Sequence, residues 1–156
     1  MPAIKIVKHP NPILRQVCED VDPEKPGPLP SKLAMMMNMV NGFAVAAPQI
    51  GQAKRAFVYK ISGFGSGLIY NPEIIRSSEE QWTYYEGCLS IPGKFWNLER
   101  PRFITVKYQN KDGEKLIMDL DDLPARVFQH EIDHLNGILV IDHIKKIALA
   151  ENLQED

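Results

Sequence analysis

The sequence predicts an α+β domain, with mostly antiparallel sheets packed around a central helix, and three observations predict it. The stretch Gln129-His130-Glu131-Ile132-Asp133-His134 reads as helix and carries two histidines four residues apart, which sets both rings on one face, one turn apart. The segments flanking Asn110-Lys111-Asp112-Gly113 alternate apolar and polar residues, the mark of a hairpin with one buried face. The remaining chain is a mixture of short apolar runs cut by glycine and proline, without an internal repeat or a low-complexity segment, so helices and strands are interspersed.

Taken in order, Ile4 to Val7 is a short apolar run that stops at His9-Pro10-Asn11-Pro12. Asn11 can cap a short helix from Pro12 to Cys18, with proline at its first position. Residues 22–31 are rich in proline and read as an extended surface connector. Ser31 is placed to cap a second helix, Lys32 to about Val40, whose methionines Met35, Met36, Met37 and Met39 are expected to pack in the core. Gly42 to Gly51 is small and apolar, suited to line a cleft or to receive an extended peptide along its edge. It lacks the lysine and the glycine spacing of a phosphate cradle.

Strands are expected at Arg55 to Lys60 and at Gly67 to Ile75, on either side of the turn-forming Ser62 to Gly67. Trp82 to Tyr85 precedes Glu86 to Gly93, whose glycines and proline suggest a shaped loop around Cys88. Arg102 to Gln109 and Lys115 to Leu120 are the hairpin strands. Asp121 or Asp122 caps the motif helix, which runs to about Asn136 and is ended by Gly137. Ile138 to Ile141 is expected to be a short strand, and Lys145 to Leu153 a terminal helix.

The 156 residues fit a single domain, 1–156, with one core. Eighteen basic side chains face 20 acidic ones, which leaves no electrostatic footprint for nucleic acid or an anionic membrane. The N-terminus lacks a charged-then-apolar leader, and no apolar run is long enough to span a bilayer, so a soluble, cytoplasmic protein is expected. Two cysteines, Cys18 and Cys88, are too few for a disulfide framework and suit free thiols.

Two histidines on one helical face can grip a metal ion, and Glu131 beside them can take and return the proton of a metal-bound water. A third protein ligand is then required if one position is to stay open. Val140 stands where a metzincin would place its third histidine, and Glu151 and Glu155 lie in the last few residues, where chains fray. Cys88 is the stronger candidate: its thiolate is a soft ligand, and its neighbours Gly87 and Pro92 are not apolar core residues.

Three separated blocks, Gly42-Phe43-Ala44-Val45-Ala46-Ala47-Pro48-Gln49, Glu86-Gly87-Cys88-Leu89-Ser90 and Gln129 to His134, resemble in order and spacing the three signature blocks of peptide deformylase. A weaker likeness extends to His9-Pro10 and Leu14-Arg15. The resemblance implies that Cys88, His130 and His134 hold one divalent metal ion, Fe2+ as the usual native ion, with Zn2+ or Ni2+ accepted in its place. It implies N-formylmethionyl peptides as substrates, nascent chains at the ribosome among them, and formate and a free amino terminus as products. Metal-bound water would be the nucleophile and Glu131 the general base and acid, while the Gln49 side-chain amide and the Leu89 backbone N–H would hold the oxyanion.

Phe43, Ala44, Val45, Tyr84, Leu123 and Val127 match the family's substrate-binding positions. Arg126, four residues before His130, is a candidate for contact with the substrate backbone. Gln129 and Asp133 are candidates for orienting the ligands, and Glu86 for a structural pairing. Where this chain has Ala44 the family pattern has glycine, so an extended backbone with negative φ is expected there. The chain resembles trimmed family members, some of them virus-encoded; the cytoplasm expected for it would be a host's if it is virus-encoded, and a monomer is expected. Two rival functions share parts of the pattern: a metallopeptidase acting on internal peptide bonds, and a non-catalytic metal-binding or peptide-binding module.

Overall fold

The computed structural model describes residues 4–145. In chain order these form helix α1 (Leu29–Met39), strands β1 (Ala44–Ala46), β2 (Ala56–Ile61), β3 (Gly65–Ser77), β4 (Gln81–Cys88), β5 (Ile91–Pro101), β6 (Phe103–Gln109) and β7 (Lys115–Asp121), and helix α2 (Asp122–Leu135). Five strands pair antiparallel in the order β1-β2-β3-β6-β7, and β4 and β5 make a separate two-stranded sheet.

Helix α2 lies between the two sheets because both of its sides are written for burial. Ala125, Phe128, Ile132 and Leu135 recur at helical spacing and pack on Phe57, Ile69, Ile104, Val106 and Leu120 of the five-stranded sheet. Phe57 and Phe128 meet edge to face, with ring centroids 5.0 Å apart. Arg126, His130 and His134, spaced by four, form the other side, towards the β4–β5 hairpin, where Arg126 and His130 meet Glu86 and His134 meets Cys88. Gly137, at φ 72°, ends the helix in the left-handed conformation.

Helix α1 starts at Leu29, three residues before the expected Lys32, and its N-cap is Pro28, not Ser31. Prolines are tolerated in a first turn because the N–H they lack would have no intrahelical acceptor. Leu29, Leu33, Met36 and Met37 pack under the sheet against Val45, Val58 and Tyr70. Met36 and Met37 are thus core, whereas Met35 and Met39 are exposed on the opposite side.

Three other expectations need correction. The helix proposed for Pro12 to Cys18 is a single 3-10 turn, Pro12–Arg15, with the Asn11 side chain accepting from the Ile13 N–H at 3.1 Å. The shaped loop at Glu86 to Gly93 is mostly strand: β4 runs through Gly87 to Cys88, Leu89 and Ser90 make the turn, and Cys88 faces Ile91 across it. Residues 140–145 are helical, so Ile138 to Ile141 is not a strand; Asp142 accepts from the Leu139 N–H at 2.9 Å, a side-chain bond back to the first turn. Apart from Lys145, the terminal helix expected for Lys145 to Leu153 lies outside the described residues, as do Glu151 and Glu155. No helix among the described residues is long and apolar enough to cross a membrane.

Candidate active site

Three chain segments meet beside α2. The end of β4 brings Cys88, and α2 brings His130, Glu131 and His134. The 3-10 turn Ala47–Ile50 that follows β1 brings Gln49. The Cys88 Sγ lies 3.4 Å from His134 Nε2, which lies 3.2 Å from His130 Nε2, and one ligand atom from each of the three residues falls within 4.8 Å of the others. Two ring nitrogens this close cannot both carry protons. Burial and the neighbouring His130 hold His134 well below the ordinary histidine range. At His130 burial acts the same way, but hydrogen bonding to Cys88 and Glu86 outweighs it and raises the ring.

A carboxylate fixes the orientation of His130. The His130 Nδ1–H donates to Glu86 Oε2 at 2.8 Å, which turns Nε2 towards Cys88 and His134. Glu86 is in turn held by Arg100, through Nε at 2.8 Å and Nη2 at 2.6 Å, and by Arg126 Nη1 at 3.1 Å. Burial alone would raise the Glu86 carboxyl, but its bonds to Arg100 and His130 keep it far below the ordinary carboxylate range. Two imidazole nitrogens and a cysteine sulfur converging at this separation form a donor set that suits Fe2+, Zn2+ or Ni2+, so the residues present fit the implied ion.

Glu131 is buried, and its Oε2 has no hydrogen-bond partner among the described residues. Burial pushes its carboxyl up to about 7. Gln49 is held in one orientation: its Oε1 accepts from the Ala46 N–H at 2.9 Å, so its Nε2 points at Ser90 Oγ, 3.2 Å away, and at Cys88 Sγ, 3.9 Å away. Because only the oxygen can accept from a backbone N–H, the amide hydrogens face the Cys88 sulfur.

A cleft of about 550 Å³ opens from these residues. Phe43, Ala44, Tyr84, Leu89, Leu123 and Val127 line it. Val45 does not: strand alternation sends its side chain to the opposite face, into the core under α1. Ala44 has negative φ, since Asn71 and Asp122 are the non-glycine residues with positive φ among those described. Its methyl packs with Ile61 and Val127 at the cleft wall.

Arg126 borders the cleft, and its two terminal nitrogens are directed at protein acceptors, while its Nε has no hydrogen-bond partner among the described residues. Besides Glu86, it donates to the carbonyls of Trp82 and Leu98, and its guanidinium lies 5.2 Å from the centroid of the Trp82 ring, which stacks on Tyr84. It is buried rather than solvated. Asp133 bonds Arg100 at 3.0 Å and His143 at 2.9 Å, and Gln129 donates to the Pro101 carbonyl at 2.9 Å; neither hydrogen-bonds to His130 or His134. Cys18 and Cys88 are free thiols.

Arg100 and Ser90 are the residues that sequence reasoning left without a role. A signal for Arg100 exists in the alternation Trp96, Leu98, Arg100 along β5, which puts the arginine on the inward face.

A family model described as polypeptide deformylase matches residues 3–149. The peptide deformylase of Bartonella tribocorum is 41% identical over 155 residues, covering 94% of this chain and 87% of that protein. The crystal structure of peptide deformylase from Thermotoga maritima superposes with a TM-score of 0.83 at 38% identity, over 92% of this chain and 98% of that one. A probable peptide deformylase from synechococcus phage S-SSM7 superposes with a TM-score of 0.83 at 40% identity, over 90% of this chain and 99% of that one.

Proposed function

Because the chain belongs to the polypeptide deformylase family, we propose that it hydrolyses the formyl group from N-formylmethionyl peptides, with Cys88, His130 and His134 holding one divalent cation. The observation that carries this reading is the convergence of a thiol and two imidazoles beside a buried carboxylate that has an unpartnered oxygen. When bound, the cation supplies Lewis-acid polarisation and a lowered pKa for water.

The chain's own residues do the rest. Glu131 takes the proton of the attacking water at Oε2 and returns it to the departing amine nitrogen, a round trip open to a buried carboxyl whose Oε2 has no other partner among the described residues. The Gln49 Nε2–H and the Leu89 backbone N–H donate to the carbonyl oxygen as it gains charge. Glu86 keeps His130 turned so that Nε2 faces the centre. The cleft wall formed by Phe43, Ala44, Leu123 and Val127 receives the methionine side chain and excludes water from it.

Fe2+ is the proposed native ion, with Zn2+ and Ni2+ as substitutes. Nascent chains are the proposed substrates, in the cytoplasm, with the enzyme acting as a monomer. The placement of Cys88 favours this reading over a peptidase acting on internal bonds, which has no use for that thiol.

The test is anaerobic incubation with formyl-Met-Ala-Ser and an assay for formate. Formate is expected from the native sequence, with metal and activity lost together in Cys88→Ser and activity alone lost in Glu131→Gln. Retention of full activity by Cys88→Ser would falsify the assignment.

A further inference from the structure

We infer that, given formyl-peptide hydrolysis at this cleft, its outer end selects peptides with acidic side chains in the residues that follow the methionine. The charged groups along the cleft divide into two sets. At the inner end, Glu86 is neutralised by Arg100 and Arg126, and Glu131 is buried. At the outer end stand Lys8 and Lys94, both exposed, both lining the cleft, and neither in an ion pair or side-chain hydrogen bond among the described residues. The whole chain carries a formal charge of -2, so this rim has the opposite sign to the molecule around it.

The backbone fixes both lysines close to the reacting groups. Val7 N–H donates to the Gln49 carbonyl at 2.7 Å and His9 N–H to the Ser90 carbonyl at 2.9 Å, so Lys8 is clamped against the segments that carry the oxyanion donors. Lys94 precedes Phe95, whose ring covers Gly87 next to Cys88; a Cβ at Gly87 would lie 2.7 Å from that ring. Tyr85 and Phe95 share one face of the hairpin and are 66% and 72% exposed along the cleft. The wall beyond the methionine pocket is therefore an aromatic shelf flanked by cations.

A formylated amino terminus has no charge, so the charge of a substrate near the site comes from the side chains downstream. Aspartate or glutamate there meets Lys8 and Lys94; lysine or arginine meets like charge. Exposed pairs of this kind change an equilibrium by roughly 1.5- to fivefold each at low salt and weaken as salt screens them.

The experiment compares formyl-Met-Ala-Glu-Glu, formyl-Met-Ala-Ser-Ser and formyl-Met-Ala-Lys-Lys with the metal-loaded enzyme, measuring formate. KM is expected to rise in the order Glu, Ser, Lys while kcat stays level. The order should collapse in salt of about 0.5 M and reverse in Lys8→Glu/Lys94→Glu. Equal KM for the three peptides, or an order that survives either high salt or charge reversal, overturns the proposal while leaving deformylation intact. Absence of formate from all three peptides would instead remove the underlying activity, and this preference with it.

Discussion

The Glu86 carboxylate accepts from Arg100, Arg126 and His130 at once, so replacing it removes the charge that two buried guanidinium groups share and frees the His130 ring. Glu86→Gln is expected to cost about 3–5 kcal/mol of stability, read by denaturant titration. Its pH signature has a definite sign. A carboxyl held below its ordinary value contributes stability that is fully present above about pH 4.3 and is lost as pH falls towards the depressed value. The acid limb of the native protein should therefore be steeper than that of Glu86→Gln. Gln49→Leu removes a donor aimed past Cys88 and should lower kcat about a hundredfold or more, and Ala44→Gly, which deletes a methyl from the cleft wall, should raise kcat/KM for formyl-Phe peptides relative to formyl-Met peptides at equal fold stability to within about 1 kcal/mol. At this scale the sequence is most legible where chemistry forces a local pattern: His130, Glu131 and His134 lie within one helical turn and a residue, and Cys88 and Gln49 sit in short blocks of unusual composition. Arg100 and Ser90 are harder to see. The alternation along β5 turns Arg100 inward, but the partner each of them meets is distant in sequence, and pairing across a fold leaves no local pattern to read.

Among the elements, α2 and the β6–β7 hairpin were readable because each carries an uninterrupted signal: helical spacing of apolar residues in one, alternation about Asn110 to Gly113 in the other. The β4–β5 hairpin was obscured by Gly87, Pro92 and Gly93, which usually mark a loop. Gly87 sits in a strand because the Phe95 ring on the paired strand occupies the space where its side chain would be. Residues 138–141 show the opposite case. Their branched apolar run looks like a strand, but Leu139 and Val140 are buried and Val140 packs against Cys88 and Leu98, while Asp142 caps the turn, so tertiary contacts override local preference. Gly137 is the most sensitive joint between elements. Its φ is +72°, and a Cβ there would stand 2.5 Å from the Arg15 carbonyl oxygen, so Gly137→Ala should destabilise by about 2–4 kcal/mol, measured as a lower denaturant midpoint with the slope unchanged.

For the whole molecule, the two thiols report on different events. Cys18 is in the core between α2 and the sheet, and burial pushes it up to about 11, so it should resist a thiol reagent until the protein unfolds. Cys88 should be protected by a bound cation and become reactive on chelation. One fast-reacting thiol per chain after metal removal, and a second only in denaturant, is the expected titration; two fast thiols would show that the core opens with the site. Chelation should also lower Tm by roughly 5–10 °C, corresponding to about 3 kcal/mol in a domain of this size.

Among the described residues the hairpin of β4 and β5 pairs only with itself, so no ladder bond of the larger sheet's strands secures it there. Its ties to α2 include side-chain ones: the Arg100, Arg126 and Glu86 cluster, and a cysteine and a histidine 46 residues apart that share the centre. An ion seated there staples the two pieces, much as a crosslink closing a long loop does. Deprived of it, residues 81–101 should exchange their amide hydrogens well ahead of β2 and β3, so the enzyme would fail by a wing lifting from an otherwise intact body.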